Sequence, residues 1–205
     1  MPGKEAQVPP PPAPAAGHGE AIDRLAQRYS VGPRFLAPPA PTAAQWRAAA
    51  ELALRAPDHG GLQPFRFVVI GDAQRPALAA LFAQHASRRG QAAADVAKAY
   101  ARAFNGPGLA ALVARVRAGV TDVPPHEQWL CIGAALMNFL NALHLMGFGA
   151  KTLSGASVAD AAIRAAFCNQ GETLVAWIVA GQATRAAHAR HQGAAAAVIS
   201  DWPGA

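Results

Sequence analysis

The sequence predicts an α+β or three-layer α/β/α domain, on three observations. Helical patterns outnumber strand patterns, and the strand patterns are scattered along the chain. A long apolar segment, His126 to Met146, has the character of a helix at the centre of a fold or at a subunit interface. No Gly-x-Gly-x-x-Gly follows a strand, which disfavours a Rossmann nucleotide site.

The elements follow in order. Met1 to Gly19 is rich in Pro and Ala and reads as a flexible tail, because repeated prolines resist helix and supply no sheet donors. It lacks the continuous apolar stretch of a signal peptide. Glu20 to Arg28 fits a short amphipathic helix with Ile22 and Leu25 turned inward. Val31 to Pro41, broken by Gly32 and four prolines, is expected as an extended loop. Thr42 is a candidate N-cap for a helix reaching Arg55, stopped by Pro57.

Phe65 to Ile70 is a compact β-branched and aromatic run ending at Gly71, the best early strand. Helical patterns run from Gln74 to about Arg89 and from Gln91 to about Phe104. Leu109 to Val116 reads as a strand diluted by alanine. After the long helix, Gly147 to Leu153 leads into a short strand or turn. Ser157 is a candidate cap for a helix ending near Phe167, and Thr173 to Ala180 is a strand closed by Gly181. A domain over residues 20–184 is thus followed by an Ala- and His-rich segment, 185–205, expected as a tail or an arm laid over a partner.

Composition narrows the function classes. With 205 residues, 52% of them hydrophobic and 15% charged, one domain with a proper core is expected. A formal net charge of +6 suits an anionic ligand, but the basic residues are scattered, so no nucleic-acid partner is expected. Asn138, Asn141 and His144 interrupt the apolar stretch Trp129 to Phe148, which favours a buried helix over a membrane span. Cys131 and Cys168 are far apart and show no metal-binding spacing, so neither a disulfide framework nor a structural metal is expected; both fit a reducing cytoplasm. His188 and His191 have helical spacing for a metal, although an exposed tail explains them as well.

Three segments are polar in unexpected places. In Arg28-Tyr29-Ser30 an arginine and a hydroxyl two residues apart can reach one phosphate; a solvated helix end is the alternative. Arg55-Ala56-Pro57-Asp58-His59-Gly60-Gly61-Leu62-Gln63-Pro64-Phe65 joins a helix to a strand by a loop whose glycines permit close backbone approach to a ligand. An ordinary tight connection has the same composition. Gly147-Phe148-Gly149-Ala150-Lys151-Thr152-Leu153-Ser154-Gly155 offers hydroxyls to a planar or phosphate-bearing ligand.

In this order the segments resemble the nitroreductase family, specifically its short bacterial members, from about Asp23 to Thr184. The Arg-Ala-Pro-Asp-His…Gln-Pro-aromatic segment at 55–65 is the most specific part. The likeness also covers Pro38 to Pro41, Pro124 to Gln128, Gly-Phe-Gly at 147–149 and Ser-Gly at 154–155. The resemblance implies a nitroreductase-like fold in an intertwined homodimer with FMN at the interface. It implies FMN contacts from Arg28, Tyr29, Ser30, Thr152, Leu153 and Ser154, and from Arg55 and His59 toward the flavin of the other subunit. Ala142, Leu143, His144, Leu145, Met146 and Gly147 match a stretch associated with the nicotinamide nucleotide. The usual Arg-Arg-Ser or Arg-His-Ser is Arg-Tyr-Ser here, and a basic residue common near Leu153 is missing, with Lys151 the nearest substitute.

The activity so implied moves electrons from NADH or NADPH to a small-molecule oxidant, a nitroaromatic or quinone, in ping-pong fashion with no catalytic side chain. The alternatives are a flavin-binding or flavin-sensing protein without efficient turnover, and oxygen-dependent flavin chemistry on the same fold.

Overall fold

A computed structural model describes residues 18–119, 122–185, 197–202 and 204. Most of the N-terminal tail, most of the C-terminal arm, and His188 and His191 lie outside the described residues. Six α-helices and five strands are described. They are α1 (His18–Ala26), β1 (Leu36–Ala37), α2 (Ala43–Ala53), β2 (Phe65–Val69), α3 (Arg75–Arg88), α4 (Ala93–Ala101), β3 (Gly108–Ala114), α5 (Pro125–Leu145), β4 (Gly149–Leu153), α6 (Ala161–Phe167) and β5 (Thr173–Ala183).

The sheet is antiparallel and is organised around β5. Strand β3 lies between β2 and β5, β4 also pairs with β5, and β1 joins the far end of β5 through Leu36–Ala183 and Ala37–Gln182. All seven residues of β3 are buried, because helices cover both faces of the sheet. On one face α2 and α5 bring Trp46, Ala49, Phe139 and Leu143 onto Leu112, Ile178 and Ala180. On the other, α3, α4 and α6 bring Leu78, Phe82, Ala99 and Ile163 onto Leu109, Val113, Trp177 and Val179. Three layers result, as expected from the sequence.

Local chemistry explains where the elements begin. Thr42 caps α2 in a reciprocal box: its hydroxyl accepts from the Gln45 N–H, and its own N–H donates to Gln45 Oε1 at 2.9 Å. Trp46, Ala49 and Ala53 then share one buried stripe. Helix α5 starts with Pro125 at its first position, where a missing N–H costs nothing. Its buried Gln128 closes the preceding loop, accepting from Arg117 N at 2.8 Å and donating to Val123 O at 3.0 Å.

The structure corrects four expectations. Ile22 and Leu25 of α1 are outward, 66% and 36% exposed, because α1 sits at the end of α5 rather than over the core. Helix α6 is capped by Asp160, whose Oδ1 accepts from Ala162 and Ile163 N–H; Ser157 lies in a preceding 3-10 turn and accepts from Trp177 Nε1. Strand β5 continues through Gly181, since pairing with β1 rewards two further residues. The loop Val31 to Pro41 contains a 3-10 turn, Pro33–Phe35, and the short β1.

Candidate functional site

A cleft of about 700 Å³ opens beside the start of the domain. The chain leaves α1 at Ala26 and lies along β4: Ser30 bridges Ala150, and Val31 N donates to Ala150 O at 3.1 Å. The approach needs a residue without a side chain at 149, because a Cβ there would lie 2.8 Å from Val31 Cγ2 and 3.0 Å from Leu36 Cδ2. Tyr29 and Ser30 thereby enter the cleft wall with Lys151 of β4 and with Arg34, Asn105 and Arg185. Arg28 does not line it.

The cleft is a positive site. Among the described residues its lining contains Arg34, Lys151 and Arg185 and no Asp or Glu, together with Tyr29, Ser30 and Asn105. The guanidiniums of Arg34 and Arg185 lie 4.6 and 4.4 Å from the Phe35 ring centroid, which fixes both charges on one platform. Arg185 is tied further by Tyr29, whose hydroxyl donates to its carbonyl at 2.6 Å. Such a group of cations and hydroxyls, with no competing carboxylate, is suited to a phosphate.

Strand β4 carries the wall onward. Beyond Ala150 its outer edge has no strand partner among the described residues. Thr152 Oγ1 is buried there without a hydrogen-bond partner, an orphan whose burial costs about 1–3 kcal/mol until a partner arrives. Leu153 and Ser154 follow, and they line a second cavity that shares Asn105 with the first. Five of the sequence-derived residues, Tyr29, Ser30, Thr152, Leu153 and Ser154, are thus brought to one continuous region.

Arg55 and His59 stand elsewhere in the subunit. Arg55 is exposed just beyond α2. His59 is exposed, with Nδ1 2.7 Å from Glu127 Oε2 at the start of α5. Their loop is built tightly. Asp58 accepts from the N–H groups of Leu62 at 3.1 Å and Gln63 at 2.7 Å, while Gly60, Gly61 and Gln63 all take positive φ. Gln63, with φ 44, is the one non-glycine residue there in the left-handed region among the described residues.

Residues 142–147 end α5. Ala142 and Leu143 are buried in the core. His144 Nε2 donates to Arg24 O at 2.7 Å, and the Arg24 guanidinium returns a 2.6 Å bond to Leu145 O, so this segment anchors α1. Met146 and Gly147 complete the turn into β4.

Arg185 and Asn105 were beyond sequence reasoning, because each reaches the cleft only through the sheet and has no motif around it. Asn105 is held by Arg75. This buried guanidinium donates to the carbonyls of Ala103, Gly106 and Pro107 and so braces the 103–107 loop.

Among the described residues no cluster of His, Cys, Asp and Glu could hold a metal ion, and no helix is long and apolar enough to cross a membrane. Cys131 and Cys168 are both free; burial raises the pKa of each thiol.

The chain is similar to known proteins in sequence and in fold. The chain is 32% identical over 163 residues to the "Putative NAD(P)H nitroreductase YdjA" of Escherichia coli K12, covering 79% of this chain and 87% of that one. It is 31% identical, also over 163 residues, to the "Putative NAD(P)H nitroreductase" of Haemophilus influenzae, covering 79% and 88%. The fold is shared with a nitroreductase-like family protein from Bacillus cereus, with a TM-score of 0.71 at 16% identity over 90% of this chain and 96% of that one. It is shared too with the FMN-dependent nitroreductase NfnB from Mycobacterium smegmatis, solved in complex with NADPH, with a TM-score of 0.62 at 20% identity over 84% and 95%. The model of the nitroreductase family itself matches residues 25–182, and the chain belongs to that family.

Proposed function

We propose that this protein is an FMN-dependent oxidoreductase that passes electrons from NADH or NADPH to a small oxidant, a nitroaromatic or a quinone. The observation that carries the reading is the carboxylate-free cationic cleft continuing into the orphaned Thr152 Oγ1 on the open edge of β4. A phosphate on a polar tail, attached to a flat ring with hydrogen-bonding edges, satisfies both.

FMN, when bound, would supply two-electron hydride chemistry between a nicotinamide and the oxidant. The chain's own work is binding and orientation. Lys151 and Arg185 would neutralise the phosphate and the Ser30 hydroxyl would donate to it, while the Tyr29 hydroxyl, its proton given to Arg185 O, would accept from a hydroxyl of the adjoining chain. Arg28 supplies a further positive charge at the approach. Thr152 Oγ1, with Leu153 and Ser154, positions the ring along β4. No side chain has to act as a nucleophile, and donor and oxidant use one surface in turn, which gives ping-pong kinetics.

The active unit is a homodimer in this reading. The layer of α1, α2 and α5 leaves Ile22, Leu54, Trp129, Leu130 and Met137 exposed, and a second copy would bury them. In the dimer Arg55 and His59 would reach the flavin of the other subunit, and the Ala142 to Gly147 stretch would lie near the nicotinamide nucleotide, with Ala142 and Leu143, buried in the core, supporting it from behind. Two free cysteines suit a reducing cytoplasm.

The test is the visible spectrum of the purified protein without oxygen. Flavin bands that bleach with NADPH or NADH, and return on adding a nitroaromatic or quinone, are expected. A protein that holds FMN but is never reduced would be a flavin binder without turnover. A colourless protein that takes up no added FMN would overturn the reading.

A further inference from the structure

The 55–65 loop is fastened to the start of α5 at two points. Gly60, with φ 73, lies against Val123, whose Cγ2 would stand 3.3 Å from a Cβ at position 60. Beside it, His59 Nδ1 lies 2.7 Å from Glu127 Oε2. Both sides of this pair are held. Asp58 closes the loop on itself through the Leu62 and Gln63 N–H groups, and Gly61 N donates to Asp58 O at 3.1 Å. Gln128 is 2% exposed and ties the first turn of α5 to Arg117 N and Val123 O, which fixes the Glu127 backbone next to it.

Stability does not account for the pair. The two side chains are 68% and 37% exposed, and an ion pair open to water contributes little to a fold. Its effect is a choice between two ring nitrogens. A carboxylate only accepts, so the bond at Nδ1 requires the proton there and leaves Nε2 free for a ligand. Asp58 does not compete for the ring, because its oxygens are taken by the N–H groups of its own loop. Just further along α5, Trp129 and Leu130 are exposed on the layer that a second copy would cover.

We propose that Glu127 is a positioning residue for His59, a role that rests on the flavin reading and deepens it. Glu127 holds the proton on Nδ1 and leaves Nε2 of the neutral ring as an acceptor for a hydroxyl or ring N–H of a flavin bound to a second copy. Arg55, at the start of the same loop, offers donors only, so a His59 fixed in this tautomer supplies the acceptor that the loop otherwise lacks. The polyol chain and the ring N–H of a flavin are donors of the kind such a nitrogen takes.

The experiment compares the full chain with Glu127→Ala, which removes the acceptor, and Glu127→Gln, whose amide oxygen can still receive the Nδ1 proton. An unchanged Tm verifies the fold of each. Nitrogen-15 NMR of the unloaded protein, with the ring neutral, should find the His59 proton on Nδ1 in the parent. In Glu127→Ala it should move to Nε2, the ordinary preference of a free imidazole. FMN affinity, read by flavin fluorescence quenching, should fall about fivefold in Glu127→Ala and less in Glu127→Gln. Adding Glu127→Ala to His59→Ala should cost nothing further. An unchanged tautomer in Glu127→Ala overturns the proposal. So does an equal loss of affinity with and without the His59 side chain, which is what a merely structural Glu127 would give. A chain that takes up no FMN fails the flavin reading, and the tautomer in the unloaded protein still decides whether Glu127 sets the ring.

Discussion

The Tyr29 hydroxyl donates a 2.6 Å hydrogen bond to the carbonyl of Arg185, joining residues 156 positions apart. One end of the domain is thereby tied to the other across the cationic cleft. The Arg185 guanidinium on the Phe35 ring is then held in place rather than free in solvent. Neighbouring Thr184 adds a second tie, donating to Phe35 O from its N–H at 2.9 Å.

The charge pattern of that cleft should appear in ligand affinity. Lys151→Gln and Arg185→Gln are each expected to weaken FMN about tenfold or more, since hydrogen bonds to charged groups contribute about 1.5–3 kcal/mol. Riboflavin, which lacks the phosphate, should bind both variants as it binds the parent. Tyr29→Phe should produce a smaller loss through Arg185. Quenching of flavin fluorescence measures all of these, and equal effects on FMN and riboflavin would remove the phosphate assignment.

Acid should weaken the fold through Glu172. Its carboxylate accepts from Arg66 Nε at 3.0 Å, from Arg66 Nη2 and from Asn169 N, and is 4% exposed. The Arg66 hydrogen bonds hold its pKa down to about 2, from an ordinary value of 4.5. A depressed folded-state value stabilises above the unfolded pKa, and that stability disappears as pH falls from about 4.5 toward 2. The amount is on the order of 3 kcal/mol. Denaturant unfolding between pH 6 and pH 2.5 should show this loss. Glu172→Gln should be less stable at neutral pH and show a flatter acid limb, with Asp160, also held low, carrying the remaining slope. An unchanged slope in Glu172→Gln would contradict the assignment.

How far the sequence could be read depends on how local each cause is. The Thr42 cap, the proline start of α5 and the β-branched run of β2 act within a few residues, and each element lies close to its expected place. Ile22 and Leu25 looked like a core face because amphipathicity does not say which neighbour, or which copy, will cover it. Ser157 and Asp160 are both good caps three residues apart, and the indole of Trp177, twenty residues on, claims Ser157. At the site Tyr29 and Ser30 were legible from their motif. Arg185 and Asn105 were not, because the sheet and the Arg75 brace bring them in over long distances.

Gly149→Ala tests whether the entry strand builds the cleft. The added Cβ would meet Val31 Cγ2 at 2.8 Å, Leu36 Cδ2 at 3.0 Å and Ala183 Cβ at 3.2 Å. Overpacking of this kind costs about 1–3 kcal/mol, and here relief comes by displacing the segment that carries Tyr29 and Ser30. Thermal unfolding should fall by several degrees and FMN affinity should fall with it. A Gly149→Ala variant with parental stability and affinity would show that the contact relaxes elsewhere.

Gln63 offers a case in which stability and function should part. Its φ of 44 lies where a side chain costs about 1–2 kcal/mol, and the chain holds it there with Asp58 Oδ2 on its N–H and the Arg115 guanidinium on its carbonyl at 3.2 Å. Gln63→Gly removes that cost but adds freedom to the unfolded chain, for a net gain of about 0.5–1 kcal/mol. Asp58→Ala should do the reverse, losing the N–H partners of Leu62 and Gln63 and about 1–2 kcal/mol. Strain retained in a loop with Arg55 and His59 points to a use for the Gln63 side chain, and under the proposed function that use would be a contact with the flavin of a second copy. Gln63→Gly should therefore melt higher yet oxidise NADPH more slowly than the parent. A variant that is both more stable and fully active would mean that the left-handed glutamine serves only the turn.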